Sequence, residues 1–288
     1  MAIFPADREW TIRSLATGDE EEALAFLRRD VLANVYFISR ILDEGLGPRG
    51  QTVEIRRGGK VVALASLTTN VVLAAAAALD PGGRQRAMEQ LAARIVSRGI
   101  PVRAIISDET LVDPLWSELE AHVSPPTVVR LRQPVYALRA GPTDLPDLDT
   151  VRFATEADLP RLVPACAAMH LEEVGIDPLA RDAPGYRQRI RELVDRRRSL
   201  VRVDGGRIAF KCEYSAVTPE AVQLMGVWTA PPYRRRGLAR RGIAEVCGHL
   251  LRERRAVTLF VNDFNTPAIH LYESLGFRRI GTNRALIW

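Results

Sequence analysis

Residues 227–239, Val-Trp-Thr-Ala-Pro-Pro-Tyr-Arg-Arg-Arg-Gly-Leu-Ala, constrain the fold more than any other stretch of the chain. Upstream, residues 221–229 are apolar and bounded by Pro219 and by Pro231-Pro232, as a buried strand is. Downstream, Leu238, Gly242, Val246 and Leu250 recur every fourth residue and give one apolar helix face. The join between them is Arg-x-x-Gly-x-Ala, running from Arg234 through Gly237 to Ala239. Small residues there allow close backbone approach, and the N–H groups of a first helical turn point outward. Such a turn binds an anion through its backbone, and the neighbouring arginines make the local potential positive. The competing reading is an ordinary strand-to-helix turn with a solvated arginine face, since arginine is common throughout the chain. The stretch is not a P-loop, because no Gly-Lys-Ser/Thr follows. It is not a dinucleotide fingerprint, which needs further glycines.

A second motif lies downstream. Residues 256–262 (Ala-Val-Thr-Leu-Phe-Val-Asn) are apolar and β-branched and read as another buried strand. A short helix follows, with Asn265 as N-cap, Pro267 in the first turn and Gly276 at the C-terminal end. Asn265 and Tyr272 are two helical turns apart and can share a face. A tyrosine hydroxyl at that place can donate a proton to a leaving group; equally, Tyr272 can pack its ring in the core and hydrogen-bond through its hydroxyl.

Together the two motifs resemble the GNAT family of acetyl-CoA-dependent N-acyltransferases. The resemblance covers residues 149–288 and includes the order of elements. One signature, Gln/Arg-x-x-Gly-x-Gly/Ala, falls on Arg234, Gly237 and Ala239. The other, an Asn followed by Ala and then Leu-Tyr-x-x-x-Gly-Phe, falls on Asn265, Ala268, Leu271, Tyr272, Gly276 and Phe277. The resemblance implies that backbone amides of Arg235, Arg236, Gly237, Leu238, Ala239 and Arg240 bind the CoA pyrophosphate. It implies that Val227, Trp228 and Thr229 pair with the pantetheine arm and that Asn265 contacts the same arm. Tyr272 would protonate the departing thiolate, after direct attack of a neutral amine on the thioester.

The general base is where the sequence departs from the family pattern. Many GNAT enzymes carry a glutamate on the strand before the pyrophosphate loop, and here Gln223 and Met225 hold those places. An alkyl ammonium titrates near ~10, so a base or a water chain must take its proton near neutrality. The remaining candidates are Glu213 on the preceding strand, Glu172 and Glu173 after the first helix, and the carboxylate of Trp288. Each is more often a solvated surface carboxylate than a base. Glu172, Glu173 and Asp177 also fall where the family's acceptor loop lies, and could grip a cationic substrate.

The rest of residues 150–288 fits the same plan. A strand at 150–153, a helix at 156–172, a Gly-, Pro- and Asp-rich loop at 174–184 and a basic helix at 186–198 lead to a hairpin. Its strands are 200–204 and 207–217, turning on Gly205-Gly206. Residues 1–139 repeat the order: helices to Ile41, strands at 52–55, 61–67 and 71–78, helix 84–98, strand 102–107, helix 111–121 and strand 128–137. They lack both motifs. Pro142, Pro146 and several aspartates mark 140–149 as a linker. The expected architecture is α/β (α+β): two GNAT-like domains in tandem, each a mixed, mostly antiparallel sheet flanked by helices. The N-terminal one is degenerate and does not bind CoA, and the arrangement resembles bacterial tandem members of the family with a poorly characterised N-terminal domain.

Composition sets the outer limits. With 288 residues and 47% hydrophobic content the chain can build two cores. Its longest apolar run, 71–79, is too short to span a bilayer, and no signal-peptide pattern opens the chain, so the expectation is a cytoplasmic protein without a membrane partner. Cys166, Cys212 and Cys247 are scattered and the four histidines do not cluster, which suggests neither disulfides nor a metal site. The formal charge of +5 is modest, and aromatics at 6% argue against nucleic-acid binding. The expected activity is acetyl transfer from acetyl-CoA, as co-substrate, to an amine on a small molecule or on a protein lysine or N-terminus. The alternatives are a non-catalytic acyl-CoA-binding regulator and a small-molecule acetyltransferase resembling mycothiol synthase.

Overall fold

A computed structural model describes residues 9–48, 50–139 and 145–288. The first half of the expected linker (140–144) and the start of the chain lie outside those residues. The first series of elements is β1 (Trp10–Ser14), α1 (Glu20–Leu27), α2 (Val31–Glu44), β2 (Thr52–Arg57), β3 (Lys60–Leu67), β4 (Asn70–Ala75), α3 (Pro81–Ser97), β5 (Ala104–Asp108), α4 (Glu109–Leu119) and β6 (Val128–Arg139). The second repeats that order: β7 (Arg152–Phe153), α5 (Leu159–Val174), α6 (Pro178–Asp195), β8 (Ser199–Asp204), β9 (Arg207–Val217), β10 (Ala221–Thr229), α7 (Leu238–Leu251), β11 (Ala256–Phe260), α8 (Thr266–Ser274) and β12 (Arg278–Ile287). The tandem, mostly antiparallel α/β architecture is therefore as the sequence led one to expect.

The chain forms two compact units, and they are not contiguous segments. The first contains the described residues up to Val135 together with Phe260–Asn265 and Arg279–Trp288; the second contains Tyr136–Leu259 and Thr266–Arg278. The sequence groups 260–265 and 279–288 with the rest of 150–288, whereas contact places them in the first unit, and β12 has no counterpart among the expected strands.

In the first unit the strand order is β1-β2-β3-β4-β5-β12. All neighbours are antiparallel except β4 and β5, which are parallel. Both faces are covered: Ala63, Ala65 and Leu67 of β3 join a core with Leu91 and Ile95 of α3 and Leu111 and Leu115 of α4. Leu64, pointing the other way, joins Phe26, Leu27, Phe37 and Ile38 of α1 and α2. Period-two side-chain alternation between two apolar layers produces strands that read as continuous apolar runs.

The second unit orders its strands β11-β10-β9-β8-β7, with β10 and β11 parallel. Leu162, Val163 and Cys166 of α5 and Ile190 and Val194 of α6 pack with Val201 and Ile208 on one face. Helix α7 packs on β9 and β10. One local expectation is corrected. The stretch 174–184 is not a loop throughout: the Asp177 carboxylate accepts from the Leu179 N–H (2.9 Å) and caps α6, which starts at Pro178. The helix breaks at Asp182 (φ −156°, ψ 80°), two residues before Pro184, whose ring removes a donor.

Candidate functional site

Residues 227–229 and 234–240, Glu172, Glu173, Glu213 and Tyr272 fall in the second unit, whereas Asn265 and Trp288 belong to the first. Strands β10 and β11 run in register only through Ala221–Ala256, Val222–Val257 and Gln223–Thr258. Beyond these pairs β10 continues to Thr229 and β11 to Phe260 without pairing each other, so the two parallel strands part. The cause lies partly on the other edge of β10. There the register with β9 passes from Met225–Glu213 to Trp228–Lys211, leaving Gly226 and Val227 as a bulge. Gly226 sits at φ +58°, a conformation open to glycine, and bulges of this kind bend a strand away from its neighbour. On the parted stretch, Trp228 Nε1 and Thr229 Oγ1 are buried without a hydrogen-bond partner.

Past β10 a tight turn at Pro231–Tyr233 leads to Arg234, Arg235 and Arg236, then to Gly237 at the head of α7. Arg235 (φ 57°) and Gly237 (φ 75°) are both left-handed, a backbone alternation that turns successive N–H groups toward one point. No side chain caps α7, and a Cβ at Gly237 would meet nothing within 4 Å. The first-turn amides of Leu238, Ala239 and Arg240 thus have no side-chain cap. Arg234 is fixed by two bonds, donating from Nε to Thr229 O (2.9 Å) and from Nη2 to Glu172 Oε2 (2.6 Å). Arg236 lies over the ring of Tyr233 at 5.9 Å.

Tyr272 of α8 is only 6% exposed, and its ring meets Phe277 at 5.7 Å. Burial, with Cys212, Glu173 and Cys247 nearby, raises its hydroxyl pKa well above the ordinary phenol range. The phenol therefore stays protonated and remains a donor. Asn265 immediately precedes α8 and donates its backbone N–H to Asn262 O (2.9 Å).

Glu213 is a buried carboxylate, 2% exposed, with Oε1 accepting from Lys211 Nζ (2.7 Å) and from Cys166 Sγ (3.4 Å). Burial pushes the Cys166 thiol up to about 12, so it is a neutral donor. Burial also disfavours the Lys211 ammonium, but the charge of Glu213 outweighs it and raises the lysine above its usual value. The expectation that Glu213 is a base or substrate carboxylate meets a side chain already committed to a cation. Glu172 is likewise engaged, with Arg234, although it and Glu173 are exposed. Trp288 packs against Trp116 in the first unit (5.8 Å). Gln223 accepts from Ser215 Oγ (3.0 Å). The Lys211–Glu213 pair escaped the sequence reading; its signal was two opposite charges, two residues apart, inside an otherwise apolar strand.

The first unit carries the same elements with both openings filled. Its parallel pair β4 and β5 is in register only at Asn70–Ala104 and Val71–Ile105. Next to this, Leu73 N–H donates to Ser107 Oγ (2.8 Å), so a hydroxyl from β5 takes the amide that parting would free. At the head of α3 the Asp80 carboxylate accepts from Gly83 N–H (2.6 Å), occupying the place an anion would need. Among the described residues, no group of histidine, cysteine or carboxylates is arranged to hold a metal ion. No helix among them is long and apolar enough to cross a membrane.

Residues 169–277 match the Acetyltransferase (GNAT) family, and residues 51–162 match a domain of unknown function, DUF4081. No curated protein matches. Among solved structures, an acetyltransferase from the GNAT family of Colwellia psychrerythraea aligns with TM-score 0.57 at 12% identity, over 96% of this chain and 100% of its own. A GCN5-related N-acetyltransferase from Sphaerobacter thermophilus aligns with TM-score 0.59 at 18% identity, over 98% and 96%. A tandem GNAT protein from the clavulanic acid biosynthesis pathway aligns with TM-score 0.53 at 14% identity, over 97% and 98%. The chain has the fold of the GNAT-family acetyltransferases, in a tandem arrangement whose N-terminal part carries the domain of unknown function.

Proposed function

We propose that the second unit transfers an acetyl group from acetyl-CoA to a primary amine, a small molecule or a protein lysine or N-terminus. The observation that carries the reading is the coincidence of an uncapped, left-handed loop at Arg235–Gly237 with the parting of β10 from β11 one turn upstream. CoA presents groups that fit both. Its pyrophosphate suits backbone amides at a helix head in a field of arginines. Its pantetheine arm carries peptide-like amides that pair with a strand edge, here Val227 to Thr229, which has no registered partner on β11.

In this reading the amine nitrogen attacks the thioester carbon, the C–N bond forms, and the C–S bond breaks. Tyr272, kept neutral by burial, gives its proton to the departing thiolate and is reprotonated from solvent. The amine proton leaves through water, because Glu213 is tied to Lys211 and Gln223 and Met225 carry no charge. The first unit, with Asp80 and Ser107 filling the equivalent places, binds no CoA.

A second reading has its own support. The absence of an unengaged carboxylate on β9 or β10 favours a non-catalytic acyl-CoA-binding regulator. Titration calorimetry of acetyl-CoA, beside a Gly237→Glu variant, tests the common ground: one site per chain, abolished by the variant. Thiol release with a panel of amines and peptides then separates the two. Binding without consumption of thioester by any acceptor selects the regulator, and no binding discards both.

A further inference from the structure

Lys211 and Glu213 form a buried ion pair for which acyl transfer, as set out above, has no use. Lys211 is 0% exposed, and a solitary ammonium in such a place is strongly disfavoured. Its three protons are all spoken for. One goes to Glu213 Oε1 (2.7 Å), one to Gly226 O (2.9 Å) and one toward Met169 Sδ (3.4 Å). The ammonium thereby ties β9 to α5 and to the bulge of β10. Cys166 on α5 completes the arrangement by donating to the same carboxylate oxygen (3.4 Å).

The bond to Gly226 O bears on the neighbouring residue. The peptide between Gly226 and Val227 is trans and planar, so its carbonyl and its N–H point in opposite directions. With the carbonyl drawn toward Lys211, the Val227 N–H is aimed away from it. Neither residue has a registered partner on β9 or on β11. A bulge glycine at φ +58° has wide rotational freedom, so something must set this peptide plane, and Lys211 is the group that touches it. A charged donor on the carbonyl also polarises the peptide and strengthens its N–H as a donor.

We infer that Lys211 is a positioning residue: by holding the Gly226 carbonyl it aims the Val227 N–H at the thioester carbonyl oxygen, and Glu213 keeps the ammonium charged and in place. The inference rests on the acyl-CoA reading. Val227 N–H would then meet the negative charge that grows on that oxygen as the amine attacks, and removing one such donor costs about 10²–10³-fold in turnover.

The test uses the full chain and acetyl-CoA isotope-labelled at the thioester carbonyl carbon. Lys211→Met alone strands a buried carboxylate and can fail to fold, so the neutral double variant Lys211→Met/Glu213→Gln is made beside it. In the wild type the infrared band of the bound carbonyl lies below that of free acetyl-CoA. In the folded double variant this downshift is lost, while the Kd for acetyl-CoA changes less than about threefold because the pyrophosphate loop is untouched. An unchanged downshift in the variant overturns the positioning role and leaves the acyl-CoA reading standing. Loss of binding by a folded variant overturns it too, since Lys211 would then shape the pocket rather than aim one amide. A wild type that does not bind acetyl-CoA removes both. A second measurement needs no variant: the Val227 amide proton in nitrogen-labelled wild type moves downfield with acetyl-CoA relative to CoA, and an unmoved resonance refutes the assignment.

Discussion

Substituting alanine for Gly226 separates the strain of a left-handed backbone from the crowding of a buried ion pair. The backbone term is common to any such glycine: an L-residue held at positive φ costs about 1–2 kcal/mol. The second term is peculiar to this position. A Cβ at Gly226 would lie 3.1 Å from both Glu213 Oε2 and Lys211 Nζ and 3.2 Å from Glu213 Cδ. Those atoms cannot swing into solvent, because the pair is enclosed and Lys211 is held at three points. Overpacking of that kind costs about 1–3 kcal/mol, for a total of about 2–5 kcal/mol. Gly205 supplies the control. It has nearly the same conformation (φ +53°), lies in the β8–β9 turn of the same unit, and a Cβ there meets nothing within 4 Å. Gly205→Ala is therefore expected to cost about 1–2 kcal/mol by urea denaturation. The quantity to compare is the difference between the two variants, in which the backbone term cancels. Equal destabilisation, within about 0.5 kcal/mol, would refute the claim that the ion pair is packed immovably against the bulge.

Other expectations are more direct. Tyr272→Phe should leave acetyl-CoA affinity nearly unchanged in calorimetry while lowering turnover by about 10²–10⁴-fold in a thiol-release assay; unaltered turnover would remove Tyr272 from the chemistry. Glu245 of α7 is buried, and its carboxylate accepts from the N–H groups of Thr150 (2.8 Å) and Val151 (2.9 Å), from Thr150 Oγ1 (2.8 Å) and from Arg241 Nε (3.0 Å). Burial works to raise its pKa, but the bonds from Val151 and Thr150 prevail and the net direction is downward from 4.5. A carboxylate depressed on folding stabilises above its unfolded pKa, and that contribution disappears as pH falls through the folded value. The wild type should thus lose stability below pH ~4.5, and Glu245→Gln should flatten that slope in urea titrations across pH. Asp80→Ala in the first unit should cost about 1 kcal/mol through loss of the α3 cap without creating a second acetyl-CoA site by calorimetry.

What could be read from the sequence follows from how local each signal is. The β10–loop–α7 junction was legible because its strand, its turn and its helix face are adjacent in the chain. The β8–β9 hairpin was legible for the same reason, through Gly205-Gly206. The start of α6 was misread although its cap, Asp177, and its first-turn Pro178 were in plain sight; the density of Gly, Pro and Asp around them suggested a loop, and only the break at Asp182 belongs to that impression. The destination of β12 was not legible at all. Its pairing with β5 joins Ile287 to Ala104 and Asn283 to Asp108, contacts that no local pattern encodes. The commitment of Glu213 to Lys211 is an intermediate case: a strand's alternation puts both on one face, but the site of Gly226 O above them is a tertiary fact.

The placement of β12 bears on how this protein comes into being. A ribosome delivers β1 to β5 first, yet the strand that covers the free edge of β5 emerges only after the whole second unit has been made. Until then the edge Ala104–Asp108 is exposed, a hazard for aggregation and a natural point for a chaperone to guard. The half of the molecule synthesised first is thus the half completed last, and the β5 amides that pair with β12 gain their final protection only once that strand has docked.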